Sequence, residues 1–286
     1  MKLCTFQIGS NASAIGLVVG ESVIPVAEHL KSAPTTMIEL ISLWSKWRES
    51  LQQLATSGSA GIALHQVTLL APVPRPGKIL GIGLNYADHV EESGMEMPAD
   101  QLWFAKMPTS ANGPYAPVDL PKVSEALDYE AEMVFIVGQR CRHLTEQTAK
   151  QAIFGYCVGN DVSVRDWQLR TSQFTLGKSF DTHAPFGPWI VTVDEIEDPH
   201  QLGIRCFVNG KKRQDSNTNQ LIFNCYQQIE HLSKVMTLEP GDVIFTGTPG
   251  GIGAATKPPS WLRNGDLVRV EIDGLNAIEN PVRIEA

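Results

Sequence analysis

LDYEAEMVFIVG, residues 127–138, and GYCVGNDVSVRDWQ, residues 155–168, decide how the rest of this chain is read. In the first stretch Tyr129, Met133, Phe135 and Val137 share one face at the two-residue period of a β-strand, and Val134 and Ile136 continue the other face. Glu130 and Glu132 fall on that second face, at the entrance of a strand that is apolar on both sides. Two unit charges ~4 Å apart repel by roughly 4 kcal/mol at an effective dielectric near 20, so a positive group is expected between them. Oxygen donors with no nearby Cys or paired His favour a hard cation, Mg2+, Mn2+ or Ca2+, over zinc.

The second stretch supplies a third acid. After the apolar run Tyr156 to Val158, Gly159 and Asn160 lead into Asp161, and SVRDWQ opens a short helix with Ser163 near its start. An Asp where a strand turns into a helix is a common place for a site residue. The same residues also allow a blander account, in which Glu130 and Glu132 sit on a solvated edge and Asp161 caps a turn.

The bulk properties bound the function. A chain of 286 residues, 43% of them hydrophobic, can bury a large core in one domain or in a large and a small one. A net charge of -8 and no basic cluster beyond Lys211-Lys212-Arg213 speak against a nucleic-acid partner. Five cysteines, Cys4, Cys141, Cys157, Cys206 and Cys225, are odd in number and widely spaced, which argues against a disulfide framework and fits a reducing cytoplasm. No run approaches transmembrane length, and Gln7, Gly9, Ser10 and Asn11 interrupt any signal-like apolar stretch, so no membrane partner is expected.

Working outward, Lys2 to Ile8, Ala14 to Val19 and Val23 to Val26 read as a small antiparallel sheet. A helix capped by Thr35 or Thr36 follows, with Leu40, Ile41, Trp44, Trp47, Leu51 and Leu54 on one face. Residues 1–72 thus form a small β-plus-helix domain that packs or assembles and carries no chemistry, joined by Pro72, Pro74 and Pro76 to residues 73–286. KILGIG, residues 78–83, reads as a buried strand, and LNYADHVEESG as a helical segment in which His89 and Glu92 share one side. That pair is either an imidazole base held by a carboxylate or a surface ion pair. GMEMPADQ, residues 94–101, has few core residues and suggests a lid.

Two glycine-rich stretches fail as nucleotide motifs. The third glycine position after Gly81 and Gly83 is Tyr86, and TGTPGGIG, residues 246–253, lacks the phosphate-loop lysine. The latter instead suits a tight backbone wall beside a ligand, with Thr248 and amide groups as donors. Asn209-Gly210 marks a two-residue hairpin, Asn224 to Val235 a helix, and Val243 to Thr246, Leu267 to Ile272 and Ile278 to Ile284 closing strands. The fold class is mixed α+β and β-dominated, without the alternation of a doubly wound sheet.

In these pieces the chain resembles the fumarylacetoacetate hydrolase family. The resemblance is carried by GIGLNYADHVEE, LDYEAEMVFIVG, GYCVGNDVSVRDWQ, LGKSFDTHAPFGPW, LEPGDVIFTGTPGGIG and LRNGDLVRVEIDGL, in the family's order from about Val73 onward. It implies a β-sandwich roll and a divalent metal, Mg2+ or Mn2+, held by Glu130, Glu132 and Asp161. It also implies a base dyad of His89 and Glu92 on a lid, and Lys178, Arg165, Gln168 and Thr248 around the substrate. The family's terminal GLG stands here as Gly274-Leu275-Asn276, which bears on a turn.

The implied reaction is hydrolysis of a C–C bond in an acylpyruvate-like or 2,4-diketo-3-deoxy acid to pyruvate and a carboxylic acid. The metal would serve as Lewis acid, and His89 would activate a water. The same site logic would serve oxaloacetate decarboxylation. A Schiff-base lyase using Lys178 and a non-catalytic 2-oxo-acid binding protein are the further alternatives. The resemblance and the apolar helix face near Trp44 suggest a homodimer.

Overall fold

In the computed structural model, which describes residues 1–94 and 96–286, the central strand Ala131–Val137 is buried along its whole length. It pairs antiparallel with Ile153–Asn160, and Val243–Phe245 lies on its other side. From there the large sheet extends through Ile79–Gly83 to Leu102–Lys106 in one direction. In the other it passes through Ala184–Thr192 to Lys2–Gln7, Ala14–Val19 and Ser22–Pro25.

The N-terminal strands therefore continue the same sheet. Lys2 pairs with Val191 and Leu3 with Ile190, on the far side of the proline-rich connector. The N-terminal helical segment breaks at Leu43 into Met37–Ser42 and Trp44–Thr56, and Thr36 Oγ1 caps the first helix by accepting from Glu39 N. Met37, Leu40, Ile41, Trp47, Leu51 and Leu54 bury against Leu3, Leu17, Val134, Ile136, Phe186 and Phe245 of the large sheet.

The opposite face, carrying Met133, Phe135, Tyr156 and Val158, packs on a second sheet that contributes Ile204, Cys206, Val268, Val270 and Ile278. That sheet runs in the order Lys211–Asn217, Gly203–Val208, Leu267–Ile272, Asn276–Ile284 and Val118–Leu120. Each such fully buried aliphatic or aromatic side chain stabilises the fold by about 1.5–3 kcal/mol, which makes this two-sheet core the main source of cohesion. The architecture is mixed α+β and β-dominated, as expected from the sequence.

The hairpin turn forms as expected. Asn209 and Gly210 adopt φ of 53° and 74°, the left-handed pair that a tight hairpin turn requires. The five cysteines are free and buried. Among the described residues no helix is long and apolar enough to cross a membrane. Of the segment expected as a lid, Met95 lies outside the described residues, while Gly94 ends the helix Ala87–Ser93 in the left-handed conformation at φ 64°.

Candidate active site

Strand register brings the three acids together. Ala131 pairs with Asn160 and Glu132 with Gly159, so the entrance of one strand lies beside the exit of its neighbour. Asp161 N donates to Glu130 O at 2.9 Å, and Glu130 N donates to the Asn160 side-chain oxygen at 2.9 Å. Glu130, Glu132 and Asp161 are all buried, each with a carboxylate oxygen within 4.8 Å of the others. The solvated-edge alternative is thereby removed.

The sequence expected a positive group among these acids, and the structure supplies three basic side chains. Lys178 Nζ lies 2.7 Å from Glu130 Oε2 and 2.8 Å from Asp161 Oδ2. Arg165 Nη1 lies 2.6 Å from Glu130 Oε1, and its Nε donates to Asp128 Oδ2 at 2.8 Å. Lys106 Nζ lies 2.5 Å from Asp161 Oδ1 and 3.2 Å from Val162 O. With Asp128 counted, four buried carboxyls face at most three positive charges.

Glu132 is the acid left over. Among the described residues it has no basic partner at ion-pair distance, and its Oε2 accepts only the Gly247 amide at 2.7 Å. Burial, and then the neighbouring Asp161 and Glu130 carboxylates, push its carboxyl well above the usual range. Glu130 goes the other way. Burial alone would raise it, but Lys178 and Arg165 hold it down at about 2. An unbalanced, all-oxygen donor set of buried acids fits a hard divalent cation, which would supply the missing charge and take the three acids as ligands.

Around the acids lies a cavity of about 240 Å³, lined by Ile82, Leu84, His89, Leu102, Phe104, Glu130, Glu132, Arg165, Gln168, Phe174, Lys178 and Thr248. Every residue expected from sequence to touch metal or substrate thus borders one space, apart from Asp161, whose oxygens Lys106 and Lys178 cover. Gln168 accepts from Arg165 Nη1 at 2.9 Å and so fixes the guanidinium. Lys178 stands 4.9 Å from the centroid of the Phe104 ring.

His89 and Glu92 share one side of one helix, Ala87–Ser93, as their spacing predicts. Their Nδ1 and Oε2 are 3.8 Å apart and make no hydrogen bond. Glu92 Oε2 accepts the Gly251 amide at 2.8 Å, and among the described residues His89 Nδ1 is buried without a hydrogen-bond partner. Burial draws the imidazole below its ordinary 6.5, with Glu130 opposing, so it stays neutral near pH 7.

The glycine loop departs from its expected use. Its amides bind the protein's own carboxylates: Gly247 donates to Glu132, Gly250 to Asp88, Gly251 to Glu92, and Gly253 to Asp128. Gly251 has φ 99°, and a Cβ there would fall 2.1 Å from Arg213 O, so only glycine lets the loop lie this close to the neighbouring strand. Thr248 is left as the loop's side-chain donor to the cavity.

Three contributors were not found from sequence. Lys106 ends a short apolar run and looks like a surface lysine, Asp128 looks like a turn residue, and Asp88 sits beside the more conspicuous His89. A buried-strand reading of LWFAK, residues 102–106, is the one signal that exposes Lys106 as a charge needing a partner.

A family model described as Fumarylacetoacetate (FAA) hydrolase C-terminal matches residues 78–283. The chain belongs to the fumarylacetoacetate hydrolase family. Within and around this family, the oxaloacetate tautomerase fahd2, mitochondrial, of Xenopus laevis is 42% identical over 287 residues, covering 99% of this chain and 90% of that protein. The human oxaloacetate tautomerase FAHD2A, mitochondrial, is 44% identical over 265 residues, covering 92% and 84%. Among solved structures, maleylpyruvate hydrolase from Sphingobium sp. SYK-6 in complex with manganese(II) ion and pyruvate superposes with a TM-score of 0.85 at 32% identity, covering all of both chains.

Proposed function

We propose that this family member is a divalent-metal-dependent enzyme that interconverts the keto and enol forms of a small 2-oxo diacid of the oxaloacetate kind. Glu130, Glu132 and Asp161 would hold Mg2+ or Mn2+, which supplies Lewis-acid polarisation of the 2-oxo group. Arg165 and Lys178 present positive charge where carboxylate and enolate oxygens would lie. In ketonisation neutral His89 would take the proton of the enol hydroxyl and, as imidazolium, deliver it to C3, and in enolisation it would carry a proton from C3 to that oxygen. Phe104, Phe174, Leu102 and Ile82 exclude water from the exchange.

The observation that carries this choice is the likeness, over 99% and 92% of this chain, to proteins named oxaloacetate tautomerase. Activating a water for attack on a carbonyl is helped by a carboxylate that fixes the imidazole tautomer, and Glu92 Oε2, which accepts from Gly251 N, stands 3.8 Å from His89 Nδ1 without a hydrogen bond to it. Carrying one proton between the enol oxygen and C3 needs only a neutral imidazole. The cavity also falls below the roughly 300–1,000 Å³ of drug-sized ligand sites, as suits a four-carbon acid. The names of the curated relatives support the same substrate.

Hydrolytic cleavage of an acylpyruvate is the second reading, favoured by the likeness to the manganese- and pyruvate-bound maleylpyruvate hydrolase. A Schiff-base route is disfavoured by Lys178. Burial opposes its ammonium, but Asp161 and Glu130 outweigh that and raise it above the ordinary value, which withholds the free amine. The test follows enol absorbance of oxaloacetate with purified protein and Mg2+ or Mn2+, alongside pyruvate release from oxaloacetate and from acetylpyruvate. Faster loss of the enol signal without pyruvate supports tautomerisation. Pyruvate from oxaloacetate indicates decarboxylation, and pyruvate with acetate indicates hydrolysis.

A further inference from the structure

Gln214 lies on the strand Lys211–Asn217, one side of the Asn209-Gly210 hairpin, and its side chain is wholly buried. Its partners leave no choice in how the carboxamide is turned. Ala131 N–H, between the two glutamates, can only donate, and it meets Oε1 at 2.9 Å. The Pro249 carbonyl can only accept, and it meets Nε2 at 2.8 Å. The amide nitrogen therefore also faces Thr248, whose Oγ1 lies 2.8 Å away and must accept.

A hydroxyl that accepts from one side still has a proton to place. Among the described residues no acceptor takes the Thr248 proton, and Thr248 borders the cavity beside Glu132 and His89. We propose that Gln214 is a positioning residue that commits the Thr248 hydroxyl to donate to an anionic oxygen of a bound 2-oxo acid. The same amide ties the threonine wall to Ala131, so the donor keeps a fixed place relative to Glu130 and Glu132. Without Gln214 the hydroxyl would be free to turn and to accept. This proposal rests on the 2-oxo-acid reading of the site.

Pyruvate serves as the probe, titrated calorimetrically into protein saturated with Mn2+. Thr248→Val and Gln214→Leu should each weaken pyruvate by about tenfold or more, the size of one hydrogen bond to a charged oxygen. In the Thr248→Val background, Gln214→Leu should cost nothing further. Wild-type affinity in Gln214→Leu, or losses that add in the double variant, would overturn the proposal. Wild-type protein that binds Mn2+ but no pyruvate would sink the 2-oxo-acid reading, and this proposal with it. Neutron diffraction of the wild-type pyruvate complex gives a readout that needs no variant to fold. A Thr248 deuteron directed at the ligand supports the assignment, and one directed at Gln214 refutes it.

Discussion

Lys106 Nζ lies 2.5 Å from Asp161 Oδ1, and neither side chain is reached by solvent. Taking both charges out of water is costly, and each makes the other tolerable. Lys106→Met leaves Asp161 with Lys178 as its one basic partner among the described residues, and should destabilise the metal-free protein by about 1.5–3 kcal/mol, the size of one hydrogen bond between charged groups. Urea unfolding in EDTA measures this. Mn2+ should recover part of the loss, because Asp161 would again face a second cation beside Lys178. A variant as stable as wild type in EDTA would mean that the pair contributes nothing to folding.

Glu130 and Glu132 are two residues apart but should respond unequally to neutralisation. Glu130→Gln takes a shared carboxylate from Arg165 and Lys178, which keep Asp128 and Asp161, and about 1.5–3 kcal/mol of metal-free stability should be lost. Glu132→Gln removes a carboxyl with no basic partner at ion-pair distance among the described residues and keeps an oxygen for Gly247 N–H, so it should cost less metal-free stability than Glu130→Gln. Both should weaken Mn2+ by about tenfold or more, since each removes a charged oxygen donor. Unfolding in EDTA and a Mn2+ titration separate the two effects. A Glu132→Gln variant as unstable as Glu130→Gln would contradict the charge imbalance on which the metal assignment rests.

The pH dependence follows from His89. Burial is the largest influence on its imidazole and depresses the pKa below 6.5, against the pull of Glu130. A base acts when neutral, so kcat/KM should be level at neutral pH. It should fall on the acid side through a midpoint below pH 6.5, tenfold per unit. Saturating Mn2+ keeps protonation of the metal ligands out of the profile. His89→Asn should lower the plateau by about 10²–10⁴-fold and abolish this limb, the range for loss of a general base. A wild-type limb centred above pH 6.5 would assign the base to another group.

The parts legible in the sequence were those set by local alternation and turns. The E-x-E pair could be placed on one face because a strand repeats every two residues, and Asp161 could be placed at a strand exit because Gly159 and Asn160 announce it. What stayed hidden depends on pairing between distant segments. Lys2 meets Val191 and Lys106 meets Ile79 only once the sheet is assembled. Gln214 sits in KKRQDSN, where polar residues on both faces conceal which one turns inward. The spacing of His89 and Glu92 gave the right helical side but could not foresee that Gly251 would compete for the carboxylate.

That competition yields the sharpest test of the base. The helix Ala87–Ser93 is too short to be stable by itself, and two of its acids fasten it to the core. Asp88 accepts from Gly250 N and Ser216 Oγ, while Glu92 accepts from Gly251 N. If Glu92 acts as an anchor, an amide oxygen can replace it. Glu92→Gln should then keep turnover within about threefold, whereas Glu92→Leu and Asp88→Ala should each lower kcat by about tenfold, the effect of losing a hydrogen bond that holds His89 in place. Mn2+ affinity should not change in any of the three, because the acids of the metal set are untouched. A catalytic dyad predicts another pattern, since a neutral amide cannot stabilise an imidazolium. Glu92→Gln as inactive as Glu92→Leu, with Mn2+ still bound, would return Glu92 to the chemistry and favour the water-activating hydrolase over the tautomerase.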